Sequence, residues 1–174
     1  MTAPDIRKEI EQLNEIMSLD NSDVVPAAVR ALAIQAYRDH DDEKAAQALS
    51  AMWKLAATHA GGHEIESLDG EEFGRKVGWL SQTKKTRSDR TIEQYLAKYA
   101  RDLLVTPMQD AVRAGAVRGI VKEVVREAEG TYTCDWCLER CGVWDPYDAN
   151  AYGVWARHAG CDCDIHIRYV EEDE

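Results

Sequence analysis

The sequence has no long hydrophobic run. No segment approaches the roughly 20 consecutive apolar residues that a membrane-spanning helix needs, so no membrane association is expected. It also lacks an excess of positive charge: 21 Lys and Arg stand against 32 Asp and Glu, for a net charge of -11. That balance argues against broad phosphate binding, because nucleic-acid readers carry a basic stripe. β-Branched runs are scarce over the first 130 positions, where Ala and long charged residues dominate, which favours helix over sheet. The opening residues MTAPDIRKEIEQL are charged and have no apolar core, so a secretory leader is not expected. Several catalytic signatures are missing as well. There is no His-Glu-x-x-His, no Gly-rich phosphate loop and no nucleophile elbow. Internal repeats and low-complexity tracts are also absent. These absences point to a helical protein made in a reducing cytosol, its 174 residues sufficing for one domain or a domain plus a small appendage.

Helical spacing is present from the start. Ile6, Ile10, Leu13 and Met17 follow one helix face over residues 4 to 19, and Asp20, Asn21 and Ser22 break it. Val25, Val29, Leu32 and Ala36 repeat the spacing up to His40. Ala45, Leu49, Met52 and Ala56 continue it after an acidic start at Asp41, Asp42 and Glu43, and Gly61 and Gly62 end that third helix. Three such helices with short connections predict a bundle. Residues 61 to 91 read as loop, with a short helix over Glu71 to Leu80 and an exposed connection SQTKKTRSDR. Lys84, Lys85, Arg87 and Arg90 form the one dense basic cluster there and are expected to be solvated. Ile92, Leu96, Tyr99 and Leu103 predict another helix from Ser88. Thr106, Pro107 and Gln109 then form a capping box for a new one, carried by Val117, Ile120, Val121, Val124 and Ala128 to Gly130. Gly115 and Gly119, one turn apart, mark either a close approach or a kink.

After Gly130 the composition changes. All five cysteines and three of the five tryptophans lie there. The segment CDCDIHIRYV alternates, placing Cys161, Cys163, Ile165, Ile167 and Tyr169 on one strand face and Asp162, Asp164, His166 and Arg168 on the other. Cys134 and Cys137 form a Cys-x-x-Cys pair, which lets two thiolates converge on one ion from a tight turn. His158, Cys161 and Cys163 form a second half-site, His-x-x-Cys-x-Cys. Five donors stand for four places in a tetrahedral site, so His158, Cys161 and Cys163 compete for two of them. Cys141 is a spare donor or a packed thiol, and His166 is expected at the surface. A surplus of thiolates favours a closed structural zinc over a catalytic one, although Glu139, Asp162, Asp164 and His166 lie close by in sequence. Residues 131 to 174 are also too few for a strong apolar core of their own. A structural zinc contributes roughly 10–16 kcal/mol of apparent binding free energy, enough to fold such a piece. Trp136, Trp144, Tyr147, Tyr152 and Trp155 are expected to supply core, for most of them, or a contact surface.

The order TCDWCLERCGVW and then ARHAGCDCDI resembles the C-terminal motif of the Mu F-like phage minor head proteins, the head morphogenesis family. The matching positions are Cys134 and Cys137, then Gly142 with Val143 and Trp144, and finally His158, Cys161 and Cys163 before an apolar strand. The likeness covers about the last 45 residues; Cys141 and the short chain depart from the family's pattern. It implies a low-copy virion component without enzymatic activity, formed in the host cytoplasm and acting in capsid assembly or DNA packaging. Its partners would be the portal or major capsid protein, with packaged DNA touched only through local basic contacts.

The expectations are therefore a mainly α protein, helical over 1–130, with a small zinc-stabilised α+β module of one or two short strands over 131–174. Two other functions remain open: a zinc-dependent nuclease or other hydrolase using His158 or His166 with a neighbouring Asp, and a regulatory zinc module binding host protein or DNA.

Overall fold

The computed structural model describes residues 2–82, 84, 86–129, 133–158, 160–161 and 163–171. Expectations resting on Lys85, Gly130 and Asp162 fall outside them. The described chain is mainly helical and ends in a small antiparallel sheet.

The first helix, α1 (Ala3–Ser18), buries Ile6, Ile10, Leu13, Ile16 and Met17 along one face. Its N-terminus is closed by a reciprocal contact between Thr2 and Asp5. A single turn, α2 (Asn21–Val24), occupies the predicted break. Next come α3 (Ala27–Asp39) and α4 (Asp42–Ala60), the latter capped by Asp41 accepting from the Lys44 amide at 3.0 Å. α5 (Glu71–Ser81) matches the predicted short helix. The loop after it is not merely solvated: the Arg87 guanidinium lies 3.3 Å from the Trp79 ring centroid, its amide donates to Tyr37 Oη at 2.9 Å, and Trp79 stacks on Tyr95.

Two sequence expectations fail in the next segment. The residues expected to form two helices joined at Thr106 form one, α6 (Asp89–Val117), with Pro107 inside it. An interior proline removes one backbone bond and costs about 3 kcal/mol. Leu103, Leu104, Pro107, Met108, Ala111 and Val112 are all buried, and this apolar face packed against α1 and α4 outweighs that cost. The helix stops well before Gly130. Gly119, at φ 68°, is the left-handed residue of a Schellman ending: its amide donates to Ala116 O at 3.0 Å, and the Ile120 amide to Gly115 O at 2.8 Å.

Val121–Glu127, expected as helix, is a strand, β1. Its Val-rich run has partners on both sides, and that pairing overrides the weak helical spacing. A one-turn helix α7 (Asp135–Leu138), strand β2 (Gly142–Trp144), helix α8 (Pro146–Ala151) and strand β3 (Asp164–Tyr169) complete the order. The sheet therefore has three strands, ordered β2-β1-β3, both pairings antiparallel. Val124 sits opposite Trp144 on one side and Ile167 on the other.

The sheet is docked on the helices. Asn14 Nδ2 donates to Ile165 O at 3.2 Å, and Arg7 Nη2 to Val170 O at 2.7 Å, so α1 holds β3. Asn150 links α8 to α6 by donating to Gln109 O at 3.1 Å, and accepts from the buried Trp155 indole at 2.8 Å. One apolar core runs from Ile6 and Leu49 through Leu104 to Val124, Trp155 and Ile165. At the seam, Gly115 packs so tightly against β1 that a Cβ there would lie 2.6 Å from Val121 Cγ2.

Candidate metal centre

Three short pieces of chain bring the donors together. Cys134 is the N-cap residue of α7, and Cys137 lies within that turn, because the Cys137 and Leu138 amides both donate back to Cys134 O at 3.0 Å. A Cys-x-x-Cys on a single turn points both thiols the same way. His158 follows the α8 segment, and its carbonyl accepts from the Cys161 amide at 3.2 Å, curling the second half-site into a turn. Cys163 immediately precedes β3, so the sheet fixes its position.

The five predicted donors form two triplets that share one member. Cys134, Cys137 and His158 lie within 4.8 Å of one another, as do Cys137, Cys161 and Cys163. His158 Nε2 is 3.2 Å from Cys134 Sγ and 3.1 Å from Cys137 Sγ; Cys137 and Cys161 Sγ are 3.6 Å apart. Donor atoms around a tetrahedral zinc are separated by roughly 3.5–3.8 Å, given Zn–S of about 2.3 Å and Zn–N of about 2.0 Å. The observed spacings are close to that, and the cluster can hold a metal ion. The cavity among these donors has a volume of about 20 Å³, the scale of a single ion. Cys137, Cys161 and Cys163 are buried, whereas Cys134 and Cys141 are half-buried at the edge. Cys141 packs against the cluster but belongs to neither triplet.

The centre has a feature without a signal in the sequence. Arg126, on the middle strand, is completely buried. Its Nη1 donates to Val154 O and Ala156 O, each at 2.7 Å, and its Nη2 points to Cys137 Sγ at 3.6 Å and Cys161 Sγ at 3.5 Å. One guanidinium therefore ties β1, the segment before His158 and both half-sites together. Burial opposes its charge, but Cys163 and Cys161 beside it hold its pKa above the ordinary arginine value. The thiols diverge. Burial, together with the hydrogen bond to Cys161, pushes Cys137 up. Burial also opposes ionisation of Cys161, but the Cys163 backbone, Arg157 and Arg126 bring its pKa below the usual thiol range.

A second, more exposed group lies on the sheet: Glu127, Asp164 and His166 are within 4.8 Å of one another, with His166 Nδ1 at 3.3 Å from Asp164 Oδ2. Asp164 and His166 were visible in the sequence as neighbours of the cysteines. Glu127 was not, because its segment reads as helix and only the pairing of β1 with β3 sets it opposite Asp164. The aromatics also divide differently from expectation. Trp155 is fully buried and Trp144 half-buried, but Trp136, Tyr147 and Tyr152 are 36%, 52% and 63% exposed. So small a layer has little interior to offer them, and Trp136 is instead sandwiched, with Arg140 3.8 Å from its ring centroid and His158 against its edge.

No helix among the described residues is long and apolar enough to cross a membrane. No family model, curated protein or solved structure matches the chain.

Proposed function

We propose that this chain is a non-enzymatic minor head protein of a phage, acting near the portal in capsid assembly or DNA packaging, with a structural zinc fastening its C-terminal end. The observation that carries the zinc is the sharing of Cys137 between two donor triplets around an ion-sized cavity. Thiolate-rich donor sets of this kind close around zinc and leave no position for a reacting water. Arg126 fits the same reading, because a zinc with three or four thiolates is net negative and a buried guanidinium offsets that charge. The phage-head part rests on the order of the motif, Cys134 and Cys137, Gly142 to Trp144, then His158, Cys161 and Cys163 before β3. The helical bundle supplies the surface for portal or capsid subunits.

Two measurements test this. Purified protein is expected to carry about one zinc per chain by elemental analysis, and chelation to loosen the sheet end before the helices; metal-free protein with an intact sheet end overturns the zinc. Mass spectrometry of purified particles is expected to find the chain in heads at low copy number, and its absence from them overturns the phage role.

The Glu127, Asp164 and His166 group favours one rival, a metal-dependent hydrolase. Under the leading reading, neither the protein nor its His166→Ala variant cleaves DNA or peptide substrates with zinc, magnesium or manganese added. Cleavage that is lost in that variant, with folding unchanged, establishes the rival.

A further inference from the structure

The sheet carries a group of polar side chains that neither the cysteine centre nor the apolar core uses. Glu127, the last residue of β1, stands directly opposite Asp164, the first residue of β3, and His166 follows two positions along β3. Like charges facing each other across a strand pair weaken the pairing, yet this register holds two carboxylates together. The charges around them do not fully answer it. Arg168, on the same strand, is engaged by Glu123 at 3.2 Å. Arg157 adds positive field at Asp164, but no ion pair among the described residues joins the two. Glu127 also has no ion pair among the described residues.

The three side chains make a mixed ligand set, not a patch of one charge. Their donor atoms lie within 4.8 Å of one another, and His166 Nδ1 is 3.3 Å from Asp164 Oδ2. Donors held 2.0–2.2 Å from a shared ion stand roughly 2.8–3.6 Å apart, so the His166–Asp164 pair is already at ligand spacing. The side chains of Asp164 and His166 keep 30% and 38% exposure and Glu127 is exposed, so a hydrated ion reaches all three. Carboxylates alone suit magnesium or calcium, whereas an imidazole beside them shifts preference towards first-row transition metals. Three protein donors on an open face leave the remaining positions to water.

We propose that Glu127, Asp164 and His166 form a second metal site, which takes one hydrated first-row divalent transition-metal ion across the β1–β3 pair. It shares no donor with the cysteine centre and does not depend on it. With fewer protein donors it exchanges its ion with solvent, so the tightly held zinc stays at about one per chain. Binding there requires no hydrolysis: the ion offsets the facing carboxylates where β1 ends and β3 begins.

The test titrates the full-length protein, as purified, with manganese(II) and follows paramagnetic broadening of its backbone amide NMR signals. Zinc content is measured on the same samples, so failure of the zinc centre and failure of this site are separate readouts. The signals of Glu127, Asp164 and His166 are expected to broaden saturably. They should do so at least tenfold earlier in the titration than those of Asp41, Asp42 and Glu43, an acidic run at the start of α4 without an imidazole. His166→Ala and Glu127→Gln are each expected to weaken manganese binding at least tenfold, with zinc content and the metal-free positions of the Val124 and Ile167 amides unchanged. Magnesium in tenfold excess is expected to leave the broadening in place. Equal broadening at both acidic places means an adventitious ion only and overturns the proposal. Displacement by equimolar magnesium, unchanged affinity in His166→Ala, or the lack of any saturable broadening also overturns it.

Discussion

Around α1, α4 and α6 the buried side chains, among them Ile10, Leu13, Leu49, Met52, Leu96 and Leu104, are apolar with the exception of Arg101. Around β1, α7 and the approach to β3 they include Arg126, Arg157, Cys137, Cys161 and Cys163. The helices are held by area removed from water, at about 25 cal/mol per Å², which is non-directional and spread over many residues. The sheet end has too little chain for that and relies on a few directional contacts converging on one thiol cluster and one guanidinium. A region built the first way tolerates local loss, whereas one built the second way fails when a single member is removed.

The largest expected effect tests that contrast directly. Cys137→Ser removes the donor common to both triplets. It is expected to abolish zinc binding, forfeiting on the order of 10 kcal/mol of apparent metal-binding free energy. Hydrogen exchange is then expected to rise through β2, α8 and β3 while α3, α4 and α5 stay protected; equal loss in both regions breaks the comparison. Arg126→Met comes next, since it strands Val154 O and Ala156 O and leaves the thiols without their donor. A loss of about 3–5 kcal/mol, read from urea unfolding, is expected and should again concentrate at the sheet end. Leu49→Ala probes the other region: about 2–5 kcal/mol is lost from a fully buried site, with zinc content unchanged. Gly115→Ala is the smallest and sits on the seam. The new Cβ meets Val121 Cγ2 at 2.6 Å, for a loss of about 1–3 kcal/mol that should loosen β1 and α1 together.

The same contrast explains what was legible before folding. In α1 and α4 every residue picked out by spacing, from Ile6 to Met17 and from Ala45 to Ala56, is buried, because amphipathic periodicity is itself the condition for docking a helix. Thr106-Pro107-x-Gln109 misled because the same three residues can start a helix or sit inside one. The burial of Pro107 with Leu103, Leu104, Met108 and Ala111, on a helix packed against α1 and α4, chose between those outcomes, and no local pattern reports it. Val121 to Glu127 misled likewise: its valines suit a buried strand or a helix face, and the presence of β2 and β3 on either side made it a strand. The candidate metal donors stood out because a shared ion would require short fixed spacings within each half-site. Arg126, Arg157 and Arg101 did not, since an arginine in a sequence is exposed by default and nothing nearby marks one that is not.

Local pattern was thus enough for the helical character, the faces of the early helices, the final alternating strand and the two cysteine half-sites, all of which depend on contacts a few residues apart. Packing alone made α6 continuous through Pro107, turned Val121–Glu127 into the central strand, put Cys137 in both triplets and drew three arginines inside. Those outcomes depend on which distant segments arrive alongside, and short-range spacing carries no record of that arrival.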